Sequence, residues 1–547
     1  MTKRIGIDLD NTILEYRAVF RDLALERHWV HENCPAEKAV IKKQLIEVAG
    51  NVEEGEIRWQ LLQAAVYGDQ IGRALILEGF LEFIKAMRQN GHDLYIVSHK
   101  SETSHIDPSV NLREWALTTL TERGFFDPIE QGGLGFSPEK IFFESTRNAK
   151  VARIQKLRLG WFIDDMSLVL RHEGFPENTQ PLLIGEEKSE EVPYFDNWSQ
   201  IQNYFEIEAA LPQAYQKNLV SMKTIHKGGN NRLSKWTFED NSQLIVKNFL
   251  VDDRDKRPRR EQEWRFLRFL WDHDLQCIPK PVETLSNANI VLCVDGRPPE
   301  SNDVGIEKQM ATFLVALDRI GMETRDQEAI GQAADARFTL GDHLQAIHCR
   351  QDIIEKACRS GGYPEILEFL NNELNNLHIR GMVQFEIACQ EADMDPDKQL
   401  PRELWYPSPS DFGLHNCLIT AQNQLIFMDF EYAGWDDPAK LLCDFLRHVG
   451  NDLPVAQRLT VIRNFVSARP HDPNLWDRFR ALADLNAVEW ILIVLNVVAR
   501  HEARRKQFAG ASDDHEALIN QRFQKAKTLC DQFWSIQPKL CDSEWMS

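Results

Sequence analysis

The stretch Ile5-Gly-Ile-Asp8-Leu-Asp10-Asn-Thr12 decides how the first part of the chain is interpreted. It begins with apolar residues typical of a short buried strand, and two carboxylates follow at once. Ligands of an open parallel sheet bind at the carboxyl ends of its strands, so we expect both aspartates at a ligand site. In such a pair, one carboxylate can attack a substrate while the other carries protons.

Further polar residues stand at the ends of other predicted strands. Ser98 ends an apolar strand and could bind a phosphate oxygen, and Asp164 and Asp165 end another. Together with Asp8, these two aspartates could hold Mg²⁺, a cation that prefers oxygen ligands. Lys150 precedes them and could neutralise the same phosphate. Strands alternate with helices throughout this region, which predicts a parallel sheet with helices on both faces.

In this order the parts resemble the haloacid dehalogenase-like (HAD) phosphatase superfamily. The resemblance implies an α/β Rossmann-like domain over residues 1–205, with a small helical cap at about 14–90. It implies Asp8 as the nucleophile and Asp10 as the general acid/base. The implied phosphate-binding residues are Thr12, Ser98 and Lys150, and the implied metal ligands are Asp8, Asp10, Asp164 and Asp165. Lys140 and Lys156 remain alternatives to Lys150.

After a predicted connector at 206–218, the pattern changes to a hairpin followed by mainly helical sequence. Lys247 lies on a predicted strand, and an amphipathic helix could present Glu263 to it as an ion pair beside nucleotide phosphates. Gly228 and Gly229 could let the backbone approach those phosphates. This region therefore offers candidate residues for ATP binding.

The segment from Ser408 to Asn416 places Asp411 and Asn416 at the spacing of a kinase catalytic loop. In that loop the aspartate accepts the hydroxyl proton and the asparagine binds Mg²⁺. Thirteen residues further on, Asp429 follows another predicted strand and could be a second metal ligand.

This combination resembles the aminoglycoside phosphotransferase and choline kinase-like family, which has the protein-kinase-like fold. The resemblance implies an α+β, two-lobed domain over residues 219–547. It implies Asp411 as the catalytic base and Asn416 and Asp429 as metal ligands. Lys247, Glu263, Gly228 and Gly229 would serve ATP. Pro409 departs from the family, which usually has a histidine two residues before the base.

Composition limits the other possibilities. The 547 residues are too many for one hydrophobic core, and the net charge of −20 disfavours nucleic acid as a partner. The ten cysteines form no CxxC pair, which predicts reduced thiols and no zinc site. The start of the chain resembles no signal peptide, and no membrane span is expected. We therefore expect a cytoplasmic protein.

The sequence predicts a bifunctional enzyme, a Mg²⁺-dependent phosphomonoester hydrolase joined to an ATP-dependent small-molecule O-kinase. Because the two activities on one oxygen would only hydrolyse ATP, we expect successive intermediates as substrates. The expected substrates are a sugar, a polyol or an amino alcohol and their phosphates. The alternatives are a kinase with an inert or regulatory HAD-like domain, and a non-catalytic protein that binds nucleotide or phosphometabolite. Polynucleotide end repair is disfavoured because the GxxxxGK[ST] phosphate loop is absent.

Overall fold

The computed structural model describes residues 4–189, 191–225, 231–249, 257–324, 329–499 and 515–541. The chain divides into two compact units. The first comprises residues 1–223 with 236–242, and the second comprises residues 224–235 with 243–547. Gly228 and Gly229, predicted to approach nucleotide phosphates, lie outside the described residues.

The first unit is built on a six-stranded parallel sheet. The unit contains the strands β1 (Arg4–Ile7), β2 (Leu14–Glu15), β3 (Leu75–Ile76), β4 (Asp93–His99), β5 (Ile141–Glu144), β6 (Trp161–Asp164), β7 (Gln180–Ile184) and β8 (Tyr194–Phe195). Six of them form the sheet in the order β5-β4-β1-β6-β7-β8, and each neighbouring pair is parallel. The remaining pair, β2 and β3, is antiparallel. The parallel sheet confirms that part of the fold prediction.

The helices within the predicted cap, at about 14–90, fall into two packing groups. The helices of this unit are α1 (Arg17–Glu26), α2 (Lys38–Ala49), α3 (Val52–Tyr67), α4 (Phe80–Gln89), α5 (Leu112–Glu122), α6 (Arg147–Leu157), α7 (Ser167–Leu170) and α8 (Trp198–Ala210). Helices α1 to α3 pack on one another, with the rings of Phe20 and Trp59 stacked at 5.2 Å. Helix α4 packs instead against α8, with Phe83 4.8 Å from Trp198. The separate helical layer therefore ends before residue 90.

Strand register brings distant carboxylates to one edge of the sheet. Ile7 of β1 pairs with Ile96 of β4 on one side and with Ile163 of β6 on the other. The residues that follow these strands therefore meet, since parallel neighbours end at the same edge. Close packing beneath the edge depends on Gly6, because a side chain there would collide with Leu159 and Phe162.

The second unit contains most of a five-stranded sheet and two small hairpin-like pairs. The strands of this sheet and of the two pairs are β9 (Leu219–Ile225), β10 (Asn231–Phe238), β11 (Gln243–Phe249), β12 (Pro281–Thr284), β13 (Ala288–Leu292), β14 (Tyr406–Ser408), β15 (Cys417–Ile419), β16 (Leu425–Phe427) and β17 (Gly434–Asp436). Residues 219–223 of β9 and 236–238 of β10 are counted with the first unit. The larger sheet has the order β12-β13-β11-β10-β9. The pairs β14–β17 and β15–β16 are antiparallel and flank the predicted catalytic loop.

Helices make up the rest of this unit. They are α9 (Arg259–Asp272), α10 (Ile306–Thr324), α11 (Leu340–Gly361), α12 (Pro364–Phe369), α13 (Asn375–Glu391), α14 (Pro438–Arg447), α15 (Val455–Ser467), α16 (Leu475–Leu495) and α17 (His515–Cys541). Helix α16 packs against α11, α13, α14 and α17. By length and composition the span Leu475–Val498 could cross a membrane, yet 83% of its most apolar stretch is buried within the protein. It is therefore described best as the core helix of this unit.

Candidate active sites

A buried lysine joins two of the aspartates at the edge of the parallel sheet. The Nζ atom of Lys150, from α6, lies 2.6 Å from an oxygen of Asp8 and 2.6 Å from an oxygen of Asp164. Burial opposes the charge, but the two carboxylates outweigh it and raise the pKa of Lys150. Of the alternative lysines, Lys140 pairs with Asp93 and Lys156 is exposed.

Three carboxylates at this edge suit a divalent cation. Oxygens of Asp8, Asp164 and Asp165 all lie within 4.8 Å of one another. Burial, followed by repulsion between the carboxylates, raises the pKa of Asp8 to about 7 and that of Asp165 to about 8. Lys150 alone therefore does not balance the negative charge. Hard oxygen donors with excess negative charge fit Mg²⁺.

Asp10 lies beside this group but faces other partners. Its Oδ1 accepts a hydrogen bond from the hydroxyl of Tyr16 at 2.6 Å, and its Oδ2 lies 2.8 Å from Nζ of Lys100. Both carboxylate oxygens thus have partners, and the carboxylate is placed to exchange protons. The metal role predicted for Asp10 stays a prediction.

The two predicted phosphate-binding hydroxyls have different surroundings. Ser98 is fully buried, and its Oγ has no hydrogen-bond partner among the described residues. A buried hydroxyl without a hydrogen bond costs about 1–3 kcal/mol, and a ligand oxygen that accepted a hydrogen bond from it would recover that energy. The Oγ1 of Thr12, in contrast, accepts the backbone N–H of Asp165 at 3.1 Å. The Thr12 hydroxyl thus holds the backbone at Asp165, and the phosphate-binding roles of Thr12 and Ser98 stay predictions.

The helical layer contributes a cation that the sequence did not reveal. Nζ of Lys38, at the start of α2, donates to Oδ1 of Asn11 at 3.1 Å and to the Tyr67 hydroxyl at 3.2 Å. Burial lowers the pKa of Lys38. No local motif marks this lysine, because its approach to the aspartates depends on how the helical layer packs.

Replacing Lys150 with methionine is expected to destabilise the first unit. The substitution leaves Asp8 and Asp164 buried without their shared cation, which costs about 3–5 kcal/mol in comparable buried ion pairs. Urea unfolding at pH 8 without divalent cations measures the loss, with exposed Lys156→Met as the control. Added Mg²⁺ is expected to recover part of it, because the ion brings positive charge to the same carboxylates. Equal stability of the two variants would contradict this assignment.

In the second unit, Lys247 of β11 lies between two carboxylates. Its Nζ is 2.7 Å from Oε1 of Glu263, on α9, and 2.6 Å from Oδ1 of Asp429. The amide of Asn289 donates to the other oxygen of Glu263 at 3.0 Å and so fixes its orientation. Although burial opposes it, Asp429 and Glu263 raise the pKa of Lys247. The structure thus brings together three residues predicted to act around ATP.

Two imidazoles hold Asp411, the predicted catalytic base. Its Oδ1 lies 3.0 Å from Nε2 of His415 and 2.8 Å from Nε2 of His448. The two rings stack with their centroids 4.1 Å apart. Burial would raise the pKa of Asp411, but the hydrogen bonds from both histidines outweigh it and hold the pKa well below its usual range. Oδ2 has no partner among the described residues and is left for a ligand.

These three side chains are close enough for a metal ion, since their ligand atoms lie within 4.8 Å. The tautomer of His448 argues against one. Its Nδ1 accepts the backbone N–H of Gly450 at 3.0 Å, so the ring proton of the neutral imidazole is on Nε2 and points to Asp411. A metal at Nε2 would require that proton to move to Nδ1 and break the Gly450 bond. We therefore interpret the group as a hydrogen-bonded clamp.

Asn416 and Asp429 meet through the β15–β16 pair. The backbone N–H of Met428 donates to the carbonyl of Asn416 at 2.9 Å, which places the next residue, Asp429, nearby. Nδ2 of Asn416 donates to the carbonyl of Asp411 at 2.9 Å, so its Oδ1 is available as a ligand atom. Burial, with repulsion from nearby glutamates, raises the pKa of Asp429 to about 6. This oxygen-donor pair fits Mg²⁺.

Left-handed backbone occurs at both sites. Asn11 follows the first aspartate pair with φ 60°, and in the second unit Ser410 and Asp429 have φ 61° and 65°. Non-glycine residues in this region cost about 1–3 kcal/mol each and persist where their surroundings hold them. The carbonyl of Tyr432 accepts from the Ser410 hydroxyl at 2.9 Å, which is one such restraint next to Asp411.

Comparisons of the sequence with protein-family models and with curated proteins return no match. Solved structures do resemble the chain. An ethanolamine kinase of Plasmodium vivax is 12% identical and has a TM-score of 0.40, with 62% of this chain and 91% of that chain covered. A spectinomycin phosphotransferase, solved with ADP and spectinomycin, is 12% identical with a TM-score of 0.41 and covers 61% and 98% respectively.

A choline kinase of Streptococcus pneumoniae is 16% identical, with a TM-score of 0.38 and coverage of 61% of this chain and 99% of that chain. All three are similar to about three fifths of the chain, and all three are named as small-molecule kinases or phosphotransferases. At these identities and TM-scores the chain is assigned to no family.

Proposed function

We propose that the chain is a bifunctional enzyme, with a Mg²⁺-dependent phosphomonoester hydrolase of the HAD type over residues 1–205. The observation that carries this half is the convergence of Lys150 on Asp8 and Asp164, together with the buried Ser98 hydroxyl, which has no hydrogen-bond partner in the described part of the chain. A phosphoryl group needs a nucleophile, charge neutralisation and hydrogen-bond donors, and these residues offer all three.

The hydrolysis would proceed in two steps. In the first, Asp8 forms a bond to phosphorus, the bond from phosphorus to the ester oxygen breaks, and the leaving alcohol takes a proton from the Asp10–Lys100 pair. In the second, water attacks the aspartyl phosphate and loses its proton to that pair, which releases phosphate and restores Asp8. Mg²⁺ held by Asp8, Asp164 and Asp165 would neutralise charge on the phosphoryl oxygens.

We propose that residues 219–547, after the connector at 206–218, form an ATP-dependent O-kinase for a small molecule. The observation that carries this half is Asp411, whose Oδ1 is held by two imidazoles while its Oδ2 has no partner in the part of the chain that the structure describes. A carboxylate oriented in this way can accept the proton of a bound hydroxyl. The Lys247–Glu263 pair lies beside Asp429, where ATP phosphates and Mg²⁺ would need positive charge and oxygen ligands.

In the transfer, the acceptor oxygen forms a bond to the γ-phosphorus as the bond to the β,γ-bridging oxygen breaks. The hydroxyl proton goes to Oδ2 of Asp411, and ADP leaves with the bonding electron pair. Lys247 is placed to neutralise phosphate charge, and Asn416 and Asp429 would hold Mg²⁺, which spreads the charge of the transferred group.

The two activities are proposed to act on successive intermediates of one cytoplasmic route. The expected substrates are a sugar, a polyol or an amino alcohol and their phosphates. Incubation with ATP, Mg²⁺ and a panel of these compounds, followed by phosphorus NMR, tests both halves at once. Mg²⁺-dependent release of phosphate supports the hydrolase, and ADP with a new phosphate ester supports the kinase. A protein that binds ATP but forms neither product would instead fit a regulatory role.

The clamp on Asp411 predicts a specific kinetic defect. His448→Leu removes one hydrogen bond to a charged group, a loss of about 1.5–3 kcal/mol, and should lower the kinase kcat about 10- to 100-fold. The KM for ATP should not change, because His448 contacts the base and not the Lys247 group. His448→Gln keeps an N–H donor and should recover part of the rate. An altered KM for ATP with an unchanged kcat would argue against a positioning role.

A further inference from the structure

A cavity adjoins the clamp that holds Asp411. It has a volume of about 410 Å³, and His448, Trp490 and Phe533 are among its lining residues. His448 reaches both the cavity and Asp411, and its ring meets that of Trp490 edge to face at 4.4 Å. Cavities of this size hold small metabolites. Its position next to the base suits the molecule whose hydroxyl is phosphorylated.

The wall of this cavity carries an excess of positive charge. Arg447, Arg458 and Lys525 line it, and the acidic residue in the lining is Asp452. Among the described lining residues Asp452 is the one carboxylate, so cationic side chains outnumber anionic ones three to one. The charge therefore favours an anionic ligand.

Arg447 is buried with little compensation for its charge. It is 7% exposed, its ion pair with Asp484 is long at 3.4 Å, and its Nε has no hydrogen-bond partner among the described residues. Its guanidinium lies 5.3 Å from the ring centroid of Phe533, which supplies no formal charge. A buried guanidinium held so loosely is costly unless a further anion approaches it.

Arg458 has hydrogen bonds but no ion pair. Its three nitrogens donate to the backbone carbonyls of Leu453, Leu446 and Asn451. No carboxylate of the described chain lies within ion-pair distance of Arg458. Burial, with repulsion from Arg447, lowers the pKa of Arg458 to about 10. The carbonyl oxygens orient the guanidinium but carry no formal charge, and Arg458 lines the same cavity as Arg447 and Asp452.

We infer that this cavity binds the anionic group, a phosphate or a carboxylate, of the hydroxyl acceptor. The inference rests on the proposed kinase function and adds the substrate class: the acceptor already carries a negative charge. Arg447 and Lys525 attract that group, and the clamp holds Asp411 towards the hydroxyl that reacts. Neutral and cationic alcohols form no ion pair with Arg447 or Lys525.

The test uses the full-length chain with Asp8→Asn, so that phosphorylated acceptors are not hydrolysed. ADP formation is measured with matched neutral, phosphorylated and carboxylated compounds: glycerol with glycerol 3-phosphate and glycerate, and glucose with glucose 6-phosphate and gluconate. Choline is the cationic member. We expect an anionic member to have a kcat/KM at least about tenfold above its neutral counterpart. The phosphate and carboxylate arms identify which anion is preferred.

Two variants, Lys525→Gln and Arg447→Gln, each remove one positive charge from the cavity wall. Each should raise the KM for the anionic acceptor, about threefold for exposed Lys525 and about tenfold or more for buried Arg447, with the KM for ATP unchanged. Lys525 is exposed, so its variant keeps the test valid if Arg447→Gln does not fold. A preference for neutral or cationic acceptors, or equal effects on all acceptors, overturns this inference alone. If no acceptor of any charge yields ADP, the proposed kinase falls as well.

Discussion

Asp8→Asn is expected to reduce phosphomonoester hydrolysis by at least about a thousandfold and to leave kinase activity unchanged. The amide keeps the size of the side chain but cannot form an aspartyl phosphate, so the first step has no nucleophile. Losses of this order are usual when a nucleophile is removed. Asp8 also supplies one of the three carboxylates that suit Mg²⁺, so the variant should require more Mg²⁺ for any residual reaction.

Phosphate release from the compounds that the wild-type chain hydrolyses measures this effect, and ADP formation in the same preparation measures the kinase. Asp69→Asn changes an exposed aspartate of the same unit and serves as the matched control. Full hydrolysis by the Asp8 variant would show that the activity arises elsewhere. No hydrolysis in any version, with kinase activity present, would favour an inert or regulatory first domain.

Asp411→Asn is expected to lower the kinase kcat about 10²- to 10⁴-fold, the usual contribution of a general base. The amide can still accept a hydrogen bond from a histidine through its oxygen, so the loop should keep its shape. It cannot take the proton of the acceptor hydroxyl, which is why kcat should fall. The KM for ATP and the hydrolysis of phosphomonoesters should not change.

Single-turnover formation of ADP and of the phosphorylated acceptor separates the chemical step from product release in this variant. Asp352→Asn, an exposed aspartate on α11, is the matched control. Together with Asp8→Asn it forms a crossed pair, in which each variant should lose one activity and keep the other. Loss of both activities in either variant would argue against two independent sites.

Sequence reasoning went furthest where function depends on residues that are neighbours along the chain. The aspartates after β1, and the five-residue spacing of Asp411 and Asn416, are local patterns that the backbone converts directly into position. The parallel sheet was likewise predictable, because strands and helices alternate with their own hydrophobic periods. The span of the cap was less predictable, since α4 has a helical pattern but packs against α8 and not against α1 to α3.

Side-chain partners were much harder to predict. The partners of the two Asp10 oxygens, Tyr16 and Lys100, were not predicted. Nothing in the sequence linked His448 to Asp411. The local signal for His415 was its place inside the catalytic-loop pattern, but its role depends on the second imidazole stacked on it.

The sequence by itself determined the positions of the candidate catalytic residues along the chain. Carboxylates follow the ends of strands, and a short loop sets the distance between Asp411 and Asn416. Tertiary structure alone decided which of them meet. It brings Lys150 onto Asp8 across 142 positions and gathers Arg447 and Arg458 around one cavity. It also leaves the Ser98 hydroxyl without a partner among the residues that the structure describes. The physical reason is the distance along the chain over which each interaction acts. Backbone geometry acts between neighbours, whereas hydrogen bonds and buried charges depend on packing between distant segments.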